Sequence, residues 1–327
     1  MLKKNRNLQQ LLANDADREI RNALTQRRQS HLGFWVAKPH TEPMAVASLV
    51  LVGVHDIHQA WQKHLGPHGY KVSMTGVFCH NSPQVKFTDK AGQPQRCELA
   101  DLLIVIDHQN AGRAVDRRAS LVQAKIASGT GDIPGAHTAD QLELLMYWHP
   151  FTLPSAYNQS PRDFKFPASP PTPIMSGSYG GIDLGQPNKL WTQVRPQLVM
   201  NISNGCSLGE FLAAMSMGDS GFGREAIVCP PPAPTQKPLK PEDWSATIAE
   251  MLKVTATSPF SLALSIRQRR PQRGVTMFGH IPDVFYSSMS SAGGDGLTIE
   301  PPYPGIGDGE NGVNALYIKL VQDARIE

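Results

Sequence analysis

The chain has 327 residues, 40% hydrophobic and 18% charged, with 28 Gly and 27 Pro. That supports one large or two small domains with a sizeable core and long loops. A formal charge of +3, from 31 basic and 28 acidic residues, excludes a histone-like coat but permits a local basic groove.

Asn7–Gln29 reads as an amphipathic helix through Leu8, Leu11, Leu12, Ile20 and Leu24. Ala45–Val54 is a short apolar run that fits either a strand or a buried helix. His55–Leu65 reads as a helix stopped by Gly66-Pro67. Tyr70–Cys79 alternates like a strand, Asn81-Ser82-Pro83 breaks it, and Gln84–Thr88 can return beside it. Leu99–Asp107 has the continuous apolar character of a central strand. A polar loop, His108–Asp116, separates it from another strand, Arg117–Ala127. Asp140–Trp148 is an amphipathic helix, and the proline-dense Pro150–Pro173 is an excursion or linker. Ser176–Leu184 and Gln197–Ile202 are strand candidates. Ser207–Met217 is a helix with Ser207 as N-cap and Glu210 three residues on. Cys229–Pro241 is a second excursion, Asp243–Ala256 a further helix, and Asn314–Gln322 one late strand or helix. The expected division is a core over residues 1–205 and a C-terminal extension over 206–327, serving regulation, oligomerisation or partner binding.

No apolar stretch reaches the ~18 residues of a membrane span; the longest candidate is Met44–Val54. Met1–Leu12 has no signal-like apolar segment behind it, and Cys79, Cys97, Cys206 and Cys229 form no CxxC pair. A cytoplasmic protein without a disulfide framework is expected. The histidines show no HExxH spacing. Gly218-Asp-Ser220-Gly221 is similar to a serine-protease nucleophile motif, but a surface turn after a helix suits it better than a nucleophile elbow. The acidic GIGDGENG at 305–312 lacks an EF-hand register.

The informative segment runs from Glu98 to Lys125. A hairpin centred between Gly112 and Arg113 sets Asp101 opposite Ala124, flanked by Gln123 and Lys125 on one strand face. An acid, an amide oxygen and an ammonium then converge among Leu102, Leu103, Ile104, Val105, Leu121 and Ile126. A lysine there needs a partner. The group is either a structural Asp–Lys ion pair or a divalent-metal site with a lysine beside it.

Asp101 followed by Gln123-Ala124-Lys125 on the next strand resembles the PD-(D/E)xK, or restriction-endonuclease-like, nuclease superfamily in its Gln-x-Lys variant. That fold runs helix, three strands, helix, strand, an order the elements between residues 55 and 185 follow. The resemblance implies an α/β protein with a mixed central sheet flanked by helices. It implies Mg²⁺, with Mn²⁺ as a substitute, held by Asp101, the Gln123 amide oxygen and the Ala124 carbonyl. Lys125 would orient the attacking water and stabilise the phosphoryl oxygens. Ala100 replaces the motif's Pro, and Gln123 replaces the commoner Glu. Glu98 is a further nearby acid, and Asp107 is too far along its strand to share the ion. Many members also recruit an acid from the first helix, here Glu19, with Asp56 second.

Arg117 and Arg118, and the denser Arg267, Arg269, Arg270 and Arg273, are candidate nucleic-acid contacts. The expected function is a DNA endonuclease, duplex being preferred, in bacterial antiviral defence, as a homo-oligomer or with complex partners. The alternative is a degenerate nuclease fold acting as a non-catalytic subunit, and a serine hydrolase is a distant third.

Overall fold

Alternation in the central segments sorts side chains to two faces, and both faces are covered. The computed structural model describes residues 5–30, 35–79, 83–110, 113–133, 139–155, 157–164, 176–185, 190–227, 242–257, 276–278, 298–299 and 313–322. The main strands are β1 (Tyr70–Cys79), β2 (Leu102–Asn110), β3 (Arg113–Ile126), β4 (Gly177–Ile182), β5 (Trp191–Val194) and β6 (Ala315–Gln322). Their order across the sheet is β5-β4-β3-β2-β6-β1. β3 is antiparallel to β2 and parallel to β4, while β6 is parallel to β2 and antiparallel to β1. The protein is thus mixed α/β, with a curled mixed central sheet between helices.

Leu102, Ile104, Ile106, Val122 and Ala124 pack on one side of the sheet, with Leu316, Ile318 and Leu320 from β6. That side is covered by α1 (Arg6–Thr25), α2 (Glu42–Ser48), α3 (Val54–Leu65) and α5 (Leu208–Ser216). Leu103, Val105, Ala119 and Leu121 face the other side, under α4 (Ala139–Tyr147) and α6 (Asp243–Thr257). There Trp148, Phe151, Phe164 and Trp244 stack edge to face or tilted. A small separate sheet on this side pairs Gln84–Thr88 with both Pro94–Glu98 and Phe151–Thr152.

α1 is held to α5 by a carboxylate at the α5 N-terminus. Asp17 accepts from Ser207 Oγ at 2.5 Å and from Gly209 N at 2.8 Å. Ser207 and Glu210 also form the expected capping box. α1 ends at Thr25, short of the expected Gln29. The ambiguous apolar run is helical: α2 passes through a π-turn, Leu49–Gly53, into α3. Gln84–Thr88 does not return beside β1, and Gln197–Ile202 is not a strand, Trp191–Val194 taking that place. Of the expected polar loop His108–Asp116, the described residues are strand, on both sides of residues 111–112. The segment 206–327, expected as an extension, supplies α5, α6 and the central strand β6. Among the described residues, no helix is long and apolar enough to cross a membrane.

β1 passes directly beneath the π-turn at Gly76, where an added Cβ would lie 2.0 Å from the Val50 carbonyl oxygen. Gly76→Ala should therefore lower stability by at least ~1–3 kcal/mol, as overpacking against backbone does. Gly129→Ala, with open space around the position, should change it by less than ~0.5 kcal/mol. Urea unfolding of both variants checks this contrast.

Candidate functional site

β3 is longer than β2 and runs past it. The last register pair is Leu102 with Val122, and Asp101 N still donates to Val122 O at 2.9 Å. Beyond that point, among the described residues, no strand lies beside this edge of β3, while β4 still pairs its other edge to Ile126. Its inward N–H groups at Ala124 and Ile126 need acceptors, since buried backbone donors are nearly always paired. Two carboxylates supply them. Asp101 Oδ2 accepts from Ala124 N at 2.8 Å, and Glu42 Oε1 accepts from Ile126 N at 3.1 Å. N–H and C=O of one strand residue point to the same side, so the Ala124 carbonyl faces the same notch.

Asp101 Oδ2 also accepts from Gln123 Nε2, and Glu42 Oε2 takes Lys125 Nζ at 3.3 Å. Asp101, Gln123, Ala124 and Lys125, expected together, are brought together. The register differs by one residue: Asp101 faces Gln123, not Ala124. The tip of the hairpin pairs Asn110 with Arg113, and a bulge between His108 and Gln109 gives β3 an extra residue. Without the bulge the register at the far end would shift, setting Val122 opposite Asp101 and turning Gln123 out of alignment.

Glu98 closes the group. Its carboxyl is hydrogen-bonded to Asp101 and lies in the field of Lys125. Burial, then the Glu98 charge, pushes the Asp101 carboxyl well above the usual range, against the pull of Lys125. Burial likewise raises Glu98. The two acids therefore hold a proton to higher pH than either would in water. Asn314 Nδ2 donates to Asp101 O at 2.7 Å, which ties the strand end to the residue preceding β6.

The helix acid at the site is Glu42, in place of the expected Glu19 or Asp56. Glu19 is engaged by Arg18 at 2.7 Å and Asn22 at 2.9 Å, and Asp56 pairs with Arg28 at 2.7 Å. Sequence pattern missed Glu42 because it lies just before the apolar run Ala45–Val54, in a stretch assigned to no element. Its signal was Thr41-Glu42-Pro43, an N-cap with a first-turn acid and proline. The π-turn matters for its direction. Counting back from Val54 at about 100° per residue, an unbroken α-helix would set Glu42 about a third of a turn off the α3 packing face. Leu49–Gly53, with Val54 N donating to Leu49 O, winds back by about a quarter turn and offsets most of that angle.

Arg117 and Arg118 are placed elsewhere and turned inward. Arg117 grips Asp107 with two bonds of 2.6 Å, and Tyr317 donates to the same carboxylate at 2.7 Å. Arg118 donates to Gly223 O at 3.2 Å and faces Asp116 at 3.6 Å. Both guanidinium groups are largely covered, Arg117 paired with Asp107 and Arg118 beside Asp116. Arg267, Arg269, Arg270 and Arg273 lie outside the described residues. Ser220 sits in a turn after α5, where Gly221 N is bound by Asp219 Oδ1 at 3.0 Å.

Among the described residues, no three His, Cys, Asp or Glu side chains stand close enough to enclose an ion as they are placed. The donor set nevertheless fits a hard divalent cation. It offers carboxylates, an amide oxygen and a backbone carbonyl, all oxygen. Gln123 is fully buried, and its Oε1 has no hydrogen-bond partner. An orphaned buried acceptor beside two acids leaves a hydrogen-bond place that a water or a cation can fill. No protein-family profile, curated protein or solved structure matches the chain.

Asp101→Asn tests the electrostatics directly. One amide oxygen can accept from both Gln123 and Ala124, and the amide N–H can donate to Glu98. A carboxyl whose folded pKa is raised binds a proton that the unfolded chain has released above about pH 4, so the native state loses stability as pH rises. In EDTA the variant should melt above the wild type at pH 8, and the gap should close toward pH 4. A variant melting lower at pH 8 would show that the ionised Asp101 is a net stabiliser.

Proposed function

We propose that the chain is a Mg²⁺-dependent nuclease that hydrolyses phosphodiester bonds, with DNA as substrate. The observation that carries this reading is the convergence of Asp101, the orphaned Gln123 oxygen, Lys125 and Glu42 at the overhanging end of β3. The resemblance to the PD-(D/E)xK superfamily adds to it. α3, β1, β2, β3, α4 and β4 follow that family's order of helix, three strands, helix and strand, with β4 parallel to β3. β6 departs from the simple pattern by lying between β1 and β2.

Asp101, Gln123 Oε1 and the Ala124 carbonyl would hold the ion, with Glu42 and Glu98 as neighbouring acids. A Mg²⁺ ion bound there would supply charge neutralisation and an acidified water. Hydrolysis adds water across one P–O bond, leaving a phosphomonoester and a hydroxyl. Lys125 is the one cation of the group, and an incoming phosphate can replace Glu42 as its partner. Its ammonium then meets the charge that develops on the phosphoryl oxygens. Glu42 keeps Lys125 extended along the notch until that exchange.

Plasmid and linear duplex DNA incubated with Mg²⁺, Mn²⁺ or EDTA should show metal-dependent cleavage. Asp101→Ala and Lys125→Ala should each lower the rate by about 10²–10³ while the fold persists. Gln123→Glu should be tolerated, since it restores an oxygen ligand of the commoner type. Mg²⁺ should also raise the melting temperature of the wild type and not of Asp101→Ala. Metal binding without cleavage of any DNA would favour the non-catalytic subunit, whereas no metal-induced shift at all would leave Asp101 and Lys125 as structural partners.

A further inference from the structure

The hairpin leading into the site carries on its outer face two cations, Lys86 and Arg96, that form no ion pair among the described residues. Gln84–Thr88 pairs with Pro94–Glu98 so that Lys86 stands directly opposite Arg96, and Lys86 is also in register with Thr152 on its other side. Val85, Phe87 and Cys97 face the core from the same strands, which turns Lys86 and Arg96 outward, and both are exposed. Like charges directly opposite on a sheet face destabilise it. Among the described residues, neither cation has an ion-pair partner, whereas Arg18, Arg28, Arg117, Arg162 and Arg224 each meet a carboxylate.

Position adds a second argument. Side chains two apart on a strand share a face, so Glu98 lies on the face of Arg96, about 7 Å further along. Glu98 is in turn hydrogen-bonded to Asp101. A row of Arg96, Lys86 and Thr152 thus spans three strands, and the next row ends in the acid group of the candidate site. The repulsion within the row is relieved by a polyanion whose charges repeat along its length, and such a ligand would pass from the row to the notch.

We propose that the outer face of this hairpin, through Lys86 and Arg96, binds the phosphodiester backbone of a nucleic acid and directs it to the Glu98–Asp101 end of the sheet. The proposal rests on the nuclease reading for the identity of the polyanion. The contacts are to phosphate, so they position the strand without reading bases. They take over the role expected of Arg117 and Arg118.

The test is binding of the full chain to a 25-base-pair DNA duplex, the same single strand and an RNA duplex, in EDTA, across a salt series. Each phosphate neutralised contributes about −0.9 to the log–log slope on a DNA duplex and about −0.7 on a single strand. Lys86→Gln with Arg96→Gln should flatten the duplex slope by about 1.8 and weaken all sequences alike. Lys63→Gln, an exposed lysine on α3, should leave the slope unchanged. The double variant should melt at or above the wild-type temperature, because it removes a like-charge pair. An unchanged slope overturns the proposal, as does wild-type protein that binds poly-glutamate but none of the nucleic acids. Failure of the nuclease reading is distinguishable: salt-dependent binding lost in the double variant, with no cleavage in Mg²⁺ or Mn²⁺, removes the enzyme and keeps the surface. Cleavage with an unaltered slope does the reverse.

Discussion

A strand that runs past its neighbour leaves backbone donors facing nothing, and the protein around residues 98–126 is organised by that constraint. β2 stops at Leu102 while β3 continues to Ile126. The N–H groups of Ala124 and Ile126 would cost about 1–3 kcal/mol each if buried without acceptors. The carboxylates of Asp101 and Glu42 accept them, from a strand end and from a helix start. Satisfying the overhang thus gathers acids at one spot, and the lysine two residues from Gln123 becomes their counter-charge. A structural requirement and a chemical opportunity coincide in the same atoms.

Two local irregularities serve this arrangement. The bulge near His108 shifts the hairpin by the single residue that decides whether Gln123 or Val122 meets Asp101. The π-turn at Leu49–Gly53 joins α2, whose first residue is Glu42, to α3 without breaking the helix. Bulges and π-turns weaken regular hydrogen bonding and are over-represented at functional sites. Here both act on the same few side chains, one from each side of the notch.

β6 has the opposite character. It is paired along its length on both sides, with β1 and with β2. Its alternating residues enter both apolar layers, and Asn314, just before it, holds the Asp101 carbonyl. The last described strand is therefore a central one. More than 200 residues separate it from its neighbours in sequence, as the |i−j| of 213 between Asn314 and Asp101 shows. Pairing at such separation carries a large loop-closure cost and slows folding. The site is completed only when this strand is in place.

Local patterns in the sequence were enough for α3, α5 with its capping box, β1, β2 and the body of β3. Each rests on periodicity or capping within a dozen residues. They were also enough to bring Asp101 to Gln123 and Lys125, because a hairpin is a local structure. Glu42 was not legible, because it meets Lys125 across 83 positions and depends on a π-turn that no periodicity announces. The burial of the Arg117–Asp107 pair was not legible either: the pair itself belongs to the local hairpin, but Tyr317, which donates to the same carboxylate, comes from 210 positions away. Nor was the exposure of Lys86 and Arg96, which the register of one hairpin and the core beneath it decide together. Sequence alone determined which chemistry-bearing residues a single hairpin joins. Tertiary structure decided which charges are buried against one another and which face water, because that choice is made by long-range strand pairing and by the need to satisfy every buried backbone donor.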